Sequence, residues 1–256
     1  GRLGDRPSRG LGLLRETGWV SLHPQLAATI DCRQEPEWHP EGDVWSHTLL
    51  VCDAAASIAR RDGLSGDRRV TLLLAALAHD LGKPETTFRD EQGRLRSPGH
   101  PQADRTLRGF LEAIGAPARH VEAVLALSRR HLDHLSFVGS ARHVRRLSRE
   151  LAASGTSIEA LVRLIEADAR GRPPLSGDLP DQARELLEVA ERVHAADAAP
   201  RPVLMGRHLL ELGFEPGPEM GRWLEAAYEA QLDGAFDDLE GALAWVRERR
   251  AEQRSG

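Results

Sequence analysis

Six residues carry the chemistry that this sequence offers: His47, the adjacent pair His79 and Asp80, His100, His131 and Asp168. Imidazole nitrogens and carboxylate oxygens are the donors that hold divalent transition metals. The His-Asp pair closes the apolar run LLLAALAHDLGKPETT, in which Leu72, Ala76, His79 and Lys83 recur at helical spacing. That spacing predicts a core helix over residues 72–83, with the pair on its last turn and Lys83 one turn beyond Asp80 on the same helix. An imidazole beside a carboxylate on a rigid, mostly buried element is a good seed for a metal site. Each residue also has an ordinary explanation when taken alone. His47 shares an apolar helix face with Val51 and would serve as a satisfied core histidine. Asp168 follows an apolar-faced helix and would be a helix-end charge. His100 lies in Pro98-Gly99-His100-Pro101, a loop ahead of a Pro-initiated helix. His131 ends a helix in SRRHLDHL, where a cation suits the helix dipole. The ordered series His, His-Asp, His, His, Asp on successive helices is much harder to explain that way. His134, one helical turn after His131, competes with it as a donor.

The elements that must position these residues are helical. Aromatics make up only 4% of the chain, and Leu, Ala, Arg and Glu dominate. Short helices are expected over residues 9–17 and 24–30. The loop QEPEWHPEGDVWSH enters a long helix near Asp43, with Val44, His47, Val51, Ala54, Ala55 and Ile58 on one face. One small β-hairpin is expected near residues 86–97, turning at Glu91-Gln92-Gly93. Helices follow over residues 101–114, 117–131, 141–152 and 157–169. A Pro/Gly connector, residues 171–180, leads to a helix over 181–196. Shorter helices over 205–212, 218–231 and 239–249 close the chain. The fold class is all-α: residues 1–8 a flexible lead-in, 9–199 the main body, and 200–256 a C-terminal helical extension packed on it.

Composition narrows the function classes. The formal net charge of −5 leaves no overall footprint for nucleic acid. The Arg-rich stretch Arg142 to Arg149 reads either as a solvated helix face or as a contact for tRNA or other RNA. Cys32 and Cys52 imply no disulfide framework and fit a cytoplasmic setting. No apolar run is long enough for a bilayer, so no membrane association is expected, and GRLGDRPSRG lacks the apolar core of a signal peptide. Phosphate-binding P-loop, dinucleotide fingerprint, HExxH, zinc-finger and nucleophile-elbow motifs are absent.

The His/Asp series resembles the signature of the HD phosphohydrolase superfamily. The resemblance implies that His47, His79, Asp80 and Asp168 bind one divalent metal and that His100 and His131 help bind a second, with Asp80 bridging the two ions. Such donors suit Mn²⁺, Fe²⁺, Co²⁺ or Ni²⁺, with Mg²⁺ less comfortable. Longer stretches, among them WHPEGDVWSHTLLVCDAAA, AHDLGKPETT, GHPQADRT, EADARGR and GRHLLELGFEPGPEMGRWLEAAYEAQLDG, resemble the HD region of bacterial CCA-adding tRNA nucleotidyltransferases. That similarity runs from about Arg9 to about Glu248. The Gly-Ser pair and Asp-x-Asp carboxylates of the family's nucleotidyltransferase head are not found in this sequence. Nucleotide addition is therefore not expected of this chain alone, and a separate nucleotidyltransferase head is a conceivable partner. The expected activity is that of a metal-dependent phosphoesterase of the 2′,3′-cyclic phosphodiesterase, 2′-nucleotidase or phosphatase type. Its substrate would be a phosphorylated nucleotide or an RNA terminus. Asp80 and Lys83 would be the catalytic residues. Lys83, Arg129, Arg130, Arg170 and the hydroxyls of Thr86 and Thr87 would contact phosphate, with Glu85 and Asp133 as lesser acid–base candidates. Two other readings stand beside this one: a (deoxy)nucleoside monophosphate nucleotidase, and a non-catalytic RNA- or partner-binding body.

Overall fold

In the computed structural model, which describes residues 5–255, the chain runs through helices joined by short turns. In order they are α1 (Pro7–Glu16), α2 (Pro24–Ala27), α3 (Val44–Arg61), α4 (Gly66–Ala78), α5 (Lys83–Thr86), α6 (Asp104–Ala113) and α7 (Ala118–Arg130). There follow α8 (Ala141–Ala153), α9 (Ile158–Arg170), α10 (Asp181–Arg192), α11 (Gly206–Glu211), α12 (Pro218–Asp233) and α13 (Leu239–Ser255). Between α5 and α6 a hairpin pairs β1 (Phe88–Arg89) with β2 (Leu95–Arg96), Phe88 opposite Arg96 and Arg89 opposite Leu95. The fold is all-α, as the composition predicts. Of the expected lead-in, residues 1–4 lie outside the described residues, while Pro7 and Ser8 already belong to α1.

The central layer is α3, α4, α7 and α9, with α4 packed against the other three. Asp43 starts it. One of its carboxylate oxygens accepts from Ser46 N at 2.8 Å, capping α3, and the other accepts from Asp31 N at 2.8 Å. The loop before α3 is thereby tied to the helix it precedes. Ala55 and Ala59 on α3 and Ala75, Ala76 and Ala78 on α4 are fully buried. Small side chains at such contacts let helix axes approach closely. Phe110, Leu125, Leu127, Leu151 and Ile165 fill the rest of one continuous core that spans residues 20–195.

One sequence expectation is corrected here. The helix over 72–83 is two elements: α4 stops at Ala78, His79 is its C-cap, and Lys83 opens α5. Asp80 therefore sits in a turn, and Lys83 is not on its helix. The ladder of α4 ends with His79 N donating to Ala75 O, and Pro84, which has no N–H to donate, sits in the first turn of α5, where none is needed. The Arg-rich face of α8 stays partly exposed, with Arg142 62% and Arg146 43% accessible, and its guanidinium groups pair with acids of the C-terminal segment. Arg142 and Arg146 pair with Asp233, Arg145 with Asp237, and Arg149 with Glu225 and Glu229. These ion pairs face the C-terminal helices, whose own apolar cluster includes Leu209, Phe214, Trp223, Phe236 and Val246. No helix among the described residues is long and apolar enough to cross a membrane.

Candidate metal centre

The orientation of four imidazoles follows from their acceptors. Nδ1 of His79, His100 and His131 each faces the backbone carbonyl three residues earlier: Ala76 O at 3.0 Å, Ser97 O at 2.7 Å and Ser128 O at 2.6 Å. A carbonyl only accepts, so Nδ1 carries the proton and the Nε2 lone pair is free for a cation. His47 reaches the same tautomer differently. Its Nδ1 lies 2.8 Å from Glu41 Oε1 and 3.2 Å from Gly171 O, both acceptors. A carboxylate behind a ligating imidazole fixes the ring and raises its basicity.

The Nε2 atoms converge on Asp80. Oδ2 of Asp80 is 3.3 Å from His79 Nε2 and 3.7 Å from His47 Nε2, while Oδ1 is 3.2 Å from His100 Nε2. Asp168 Oδ1 lies 3.1 Å from His47 Nε2. The donors thus form two triads, His47–His79–Asp80 and Asp80–His100–His131, each with its atoms within 4.8 Å of one another and with Asp80 shared. Ligand bonds near 2.0–2.2 Å put neighbouring donors roughly 3–4 Å apart, so these spacings fit a cation at each triad. His47 Nε2, His79 Nε2, His100 Nε2 and both Asp80 oxygens are buried without a well-directed hydrogen bond among the described residues, although the Lys83 ammonium stands 2.7 Å from Asp80 Oδ2. Each such group costs on the order of 1–3 kcal/mol if left unsatisfied, and cations would satisfy all of them together. Residues and metal therefore fit.

Charge is arranged to match. Burial pushes the His131 imidazole down to about 3, helped by the nearby His79 and His100, so it stays neutral with its lone pair available. For Asp80, burial favours the acid form, but His79, Lys83 and His100 outweigh it and hold the carboxyl well below its usual range. Burial opposes ionisation of Asp168 too, and His47 overcomes it. Burial likewise lowers His47, yet Asp168 and Glu41 raise it to about 9. A proton and a cation therefore compete for His47 Nε2, and binding the cation must release the proton.

Two glycines make room. A Cβ on Gly171 would lie 2.4 Å from Val51 Cγ2 and 3.2 Å from His47 Cε1. A Cβ on Gly82 would lie 2.5 Å from His100 O and 2.4 Å from Ala103 Cβ. The first lets the chain after Asp168 pass behind His47. The second lets the 3₁₀ turn His100–Gln102 pack onto the Asp80 turn.

The other residues singled out from the sequence fare differently. Lys83 Nζ is 2.7 Å from Asp80 Oδ2 and donates to Gln34 Oε1 at 2.7 Å. His134 lies outside both triads, its Nδ1 at 3.0 Å from His131 O. Arg129 is engaged by Asp104, Arg130 by Glu150 and Asp133, and Arg170 by Glu166. None of these three arginines lines the cleft over the centre. Thr87 Oγ1 donates to Lys83 O at 2.7 Å and Thr86 Oγ1 to Gly82 O at 3.1 Å, so both hydroxyls stabilise the turn. Glu85 accepts from Thr106 Oγ1 at 2.5 Å, and Asp133 is paired with Arg130. The sequence reading missed Glu41, His39, Gln34, Trp38 and Arg172. The motif HPEG, ahead of α3, was the available signal for Glu41, but loop residues have no period from which a contact is read. The cleft itself encloses about 440 Å³ and is lined by Trp38, His39, Lys83, Leu135 and Arg172 together with Asp80, His100, His131 and Asp168.

The HD domain model matches residues 44–198, a span that holds every donor from His47 to Asp168. The CC-adding tRNA nucleotidyltransferase of Thermus thermophilus is 32% identical over 99% of this chain and 56% of its own length. The multifunctional CCA protein of an Acidovorax species is 30% identical over 89% of this chain and 51% of its own. That of Cupriavidus metallidurans is 33% identical over 75% and 45%. The chain spans about half the length of the curated relatives it matches.

Proposed function

Since the chain belongs to the HD domain family, we propose that it is a metal-dependent phosphoesterase acting on nucleotides or RNA ends. The favoured substrates carry a 2′,3′-cyclic phosphate or a 2′-phosphate. The observation that carries this reading is the pair of donor triads sharing Asp80 at the floor of an open cleft. His47, His79, Asp168 and one oxygen of Asp80 would hold one divalent ion, and His100, His131 and the other oxygen a second. Ions held there supply Lewis acidity and bring a water towards ionisation at neutral pH.

The chain's own residues do the rest. Backbone carbonyls and Glu41 lock four imidazoles with Nε2 inward, so little reorganisation is needed as charge develops on the phosphoryl oxygens. Lys83 stands beside Asp80 and lines the cleft, so its ammonium can donate to a phosphoryl oxygen and offset its charge. Gln34 holds that ammonium in place when substrate is absent. One relative, that of Thermus thermophilus, is named for tRNA, which supports an RNA terminus as substrate over a free mononucleotide. Metal analysis of the purified chain, then a panel of phosphoesters, tests the proposal. Two equivalents of Mn²⁺, Fe²⁺, Co²⁺ or Ni²⁺ are expected, with turnover of 2′,3′-cyclic nucleotides that falls at least a thousandfold in Asp80→Ala. Absence of metal binding and of turnover across cyclic nucleotides, aryl phosphodiesters and nucleoside monophosphates would sink it. Preference for 5′-monophosphates would move the reading to a nucleotidase.

A further inference from the structure

Two large apolar side chains stand in water at the rim of the same cleft. Trp38 is 55% exposed and Leu135 is 66% exposed. They come from unrelated parts of the chain, the loop ahead of α3 and the 3₁₀ turn Asp133–Ser136. Leu95 of β2 and Leu132 complete an apolar wall. The wall is held in place. Trp38 N and His39 N both donate to Glu35 O, at 3.1 and 2.9 Å, and the Glu35 side chain accepts from Leu95 N at 2.8 Å. One residue thus ties the tryptophan turn to the hairpin. Arg172 also lines the cleft, and its Nε is buried with no hydrogen-bond partner among the described residues. A buried guanidinium donor without an acceptor suits a phosphoryl oxygen.

We infer that the cleft is built for a whole nucleotide. The face of Trp38, backed by Leu95, Leu132 and Leu135, receives the nucleobase, and Arg172 donates to the phosphate over the Asp80 centre. This rests on the phosphoesterase reading for the phosphate's position, but the wall stands on its own geometry. The occupant joins an anionic group to a flat apolar one, because Lys83, Arg172 and the ions that the Asp80 centre would hold share one cleft with an exposed tryptophan and leucine. Its volume of about 440 Å³ lies in the range of small-molecule sites. Stacking on tryptophan uses the π-face that every base has, so it favours a base without choosing which one.

Isothermal calorimetry on the Mn²⁺-loaded chain tests this apart from turnover. Adenosine 5′-monophosphate, which differs from ribose 5-phosphate by its base alone and is outside the favoured substrates, is expected to bind about tenfold or more tightly than ribose 5-phosphate. Trp38→Ala is expected to close that gap while leaving ribose 5-phosphate unchanged, and Leu135→Ser to narrow it. Arg172→Met is expected to weaken both ligands alike. Trp38 and Leu135 are exposed, so these variants should fold normally, which circular dichroism checks. A gap that persists in the Trp38→Ala, Leu135→Ser double variant overturns the inference, as does a wild type without preference. A Trp38-dependent gap with no turnover of any phosphoester leaves the base site standing and removes the phosphoesterase. Turnover without the gap does the reverse. An oligoribonucleotide ending in a 2′-phosphate that binds more tightly than adenosine 2′-monophosphate, with the same Trp38 dependence, assigns an RNA terminus as the source of the base. Equal binding assigns a free nucleotide.

Discussion

His131 and His134 are buried histidines one turn apart, and only their surroundings separate them. His131 directs its lone pair at Asp80 and His100, whereas His134 lies against the His131 carbonyl and outside the triads. His131→Ala is therefore expected to lose one metal equivalent, and His134→Ala to keep both, as read by elemental analysis after dialysis. Retention of both ions by the first variant would remove His131 from the ligand set. Glu41 is the second residue whose role depends on contact. Its Oε1 meets both His39 and His47 at 2.8 Å. Burial would raise its acid pKa, but the bonds to His39 and His47 bring it to about 2, so it is an anion behind His47. Glu41→Gln keeps the shape and removes the charge. It should weaken Mn²⁺ binding roughly tenfold, as outer-shell partners of ligating imidazoles do. Competition with a chromophoric chelator measures this, and an unchanged affinity would refute the positioning role.

At the scale of elements, the site is a meeting of helix ends and turns. α4, α7 and α9 deliver His79, His131 and Asp168 at or beside their C-termini, and α3 delivers His47 from within its first turn. Apolar periodicity located these helices because a buried stripe is a local pattern. It ran the α4 pattern through to Lys83 because apolar spacing continued, whereas the hydrogen-bond ladder stops at His79 N and gives way to a turn around Asp80. Gly171 is where one element must pass another at contact distance. Gly171→Ala would drive a methyl into Val51 Cγ2 and against His47. A loss of about 1–3 kcal/mol in urea unfolding is expected, together with weaker metal binding at the His47 triad. Unaltered stability would mean that the helices can separate there at no cost.

Across the whole molecule, ion pairs add to the stability that apolar burial provides, and divalent cations held at the Asp80 centre would add more. Buried unpartnered donors predict that divalent metal stabilises the folded chain. At a concentration one hundred times the dissociation constant, binding contributes about 2.7 kcal/mol, so the thermal midpoint should rise by several degrees and fall again with chelator. A midpoint indifferent to chelator would contradict the metal centre. The C-terminal helices meet the main body through acidic partners of α8. Arg142 and Arg146 hold the Asp233 carboxyl below its usual range. A carboxylate depressed in the folded state stabilises above its unfolded pKa of about 3.9, and that contribution is lost as pH falls through the folded value. Asp233→Asn should therefore lower the midpoint at pH 7, with the difference from wild type vanishing at strongly acidic pH and shrinking in high salt. A deficit that persists in acid would assign the loss to packing rather than charge.

What the sequence determined by itself is the all-α class, most helix positions, the hairpin near residues 86–97 and the set of donors that could bind metal. These are legible because periodicity, caps, Pro and Gly act over one or two turns of chain. The tertiary structure alone decided how the donors group into triads around Asp80. It also decided which arginines are consumed by Asp104, Glu150, Glu166 and the α12 acids, and that Arg172 and Trp38 face the cleft. Those are contacts between segments tens to more than a hundred residues apart. Their energies depend on distance in space, which local pattern does not encode.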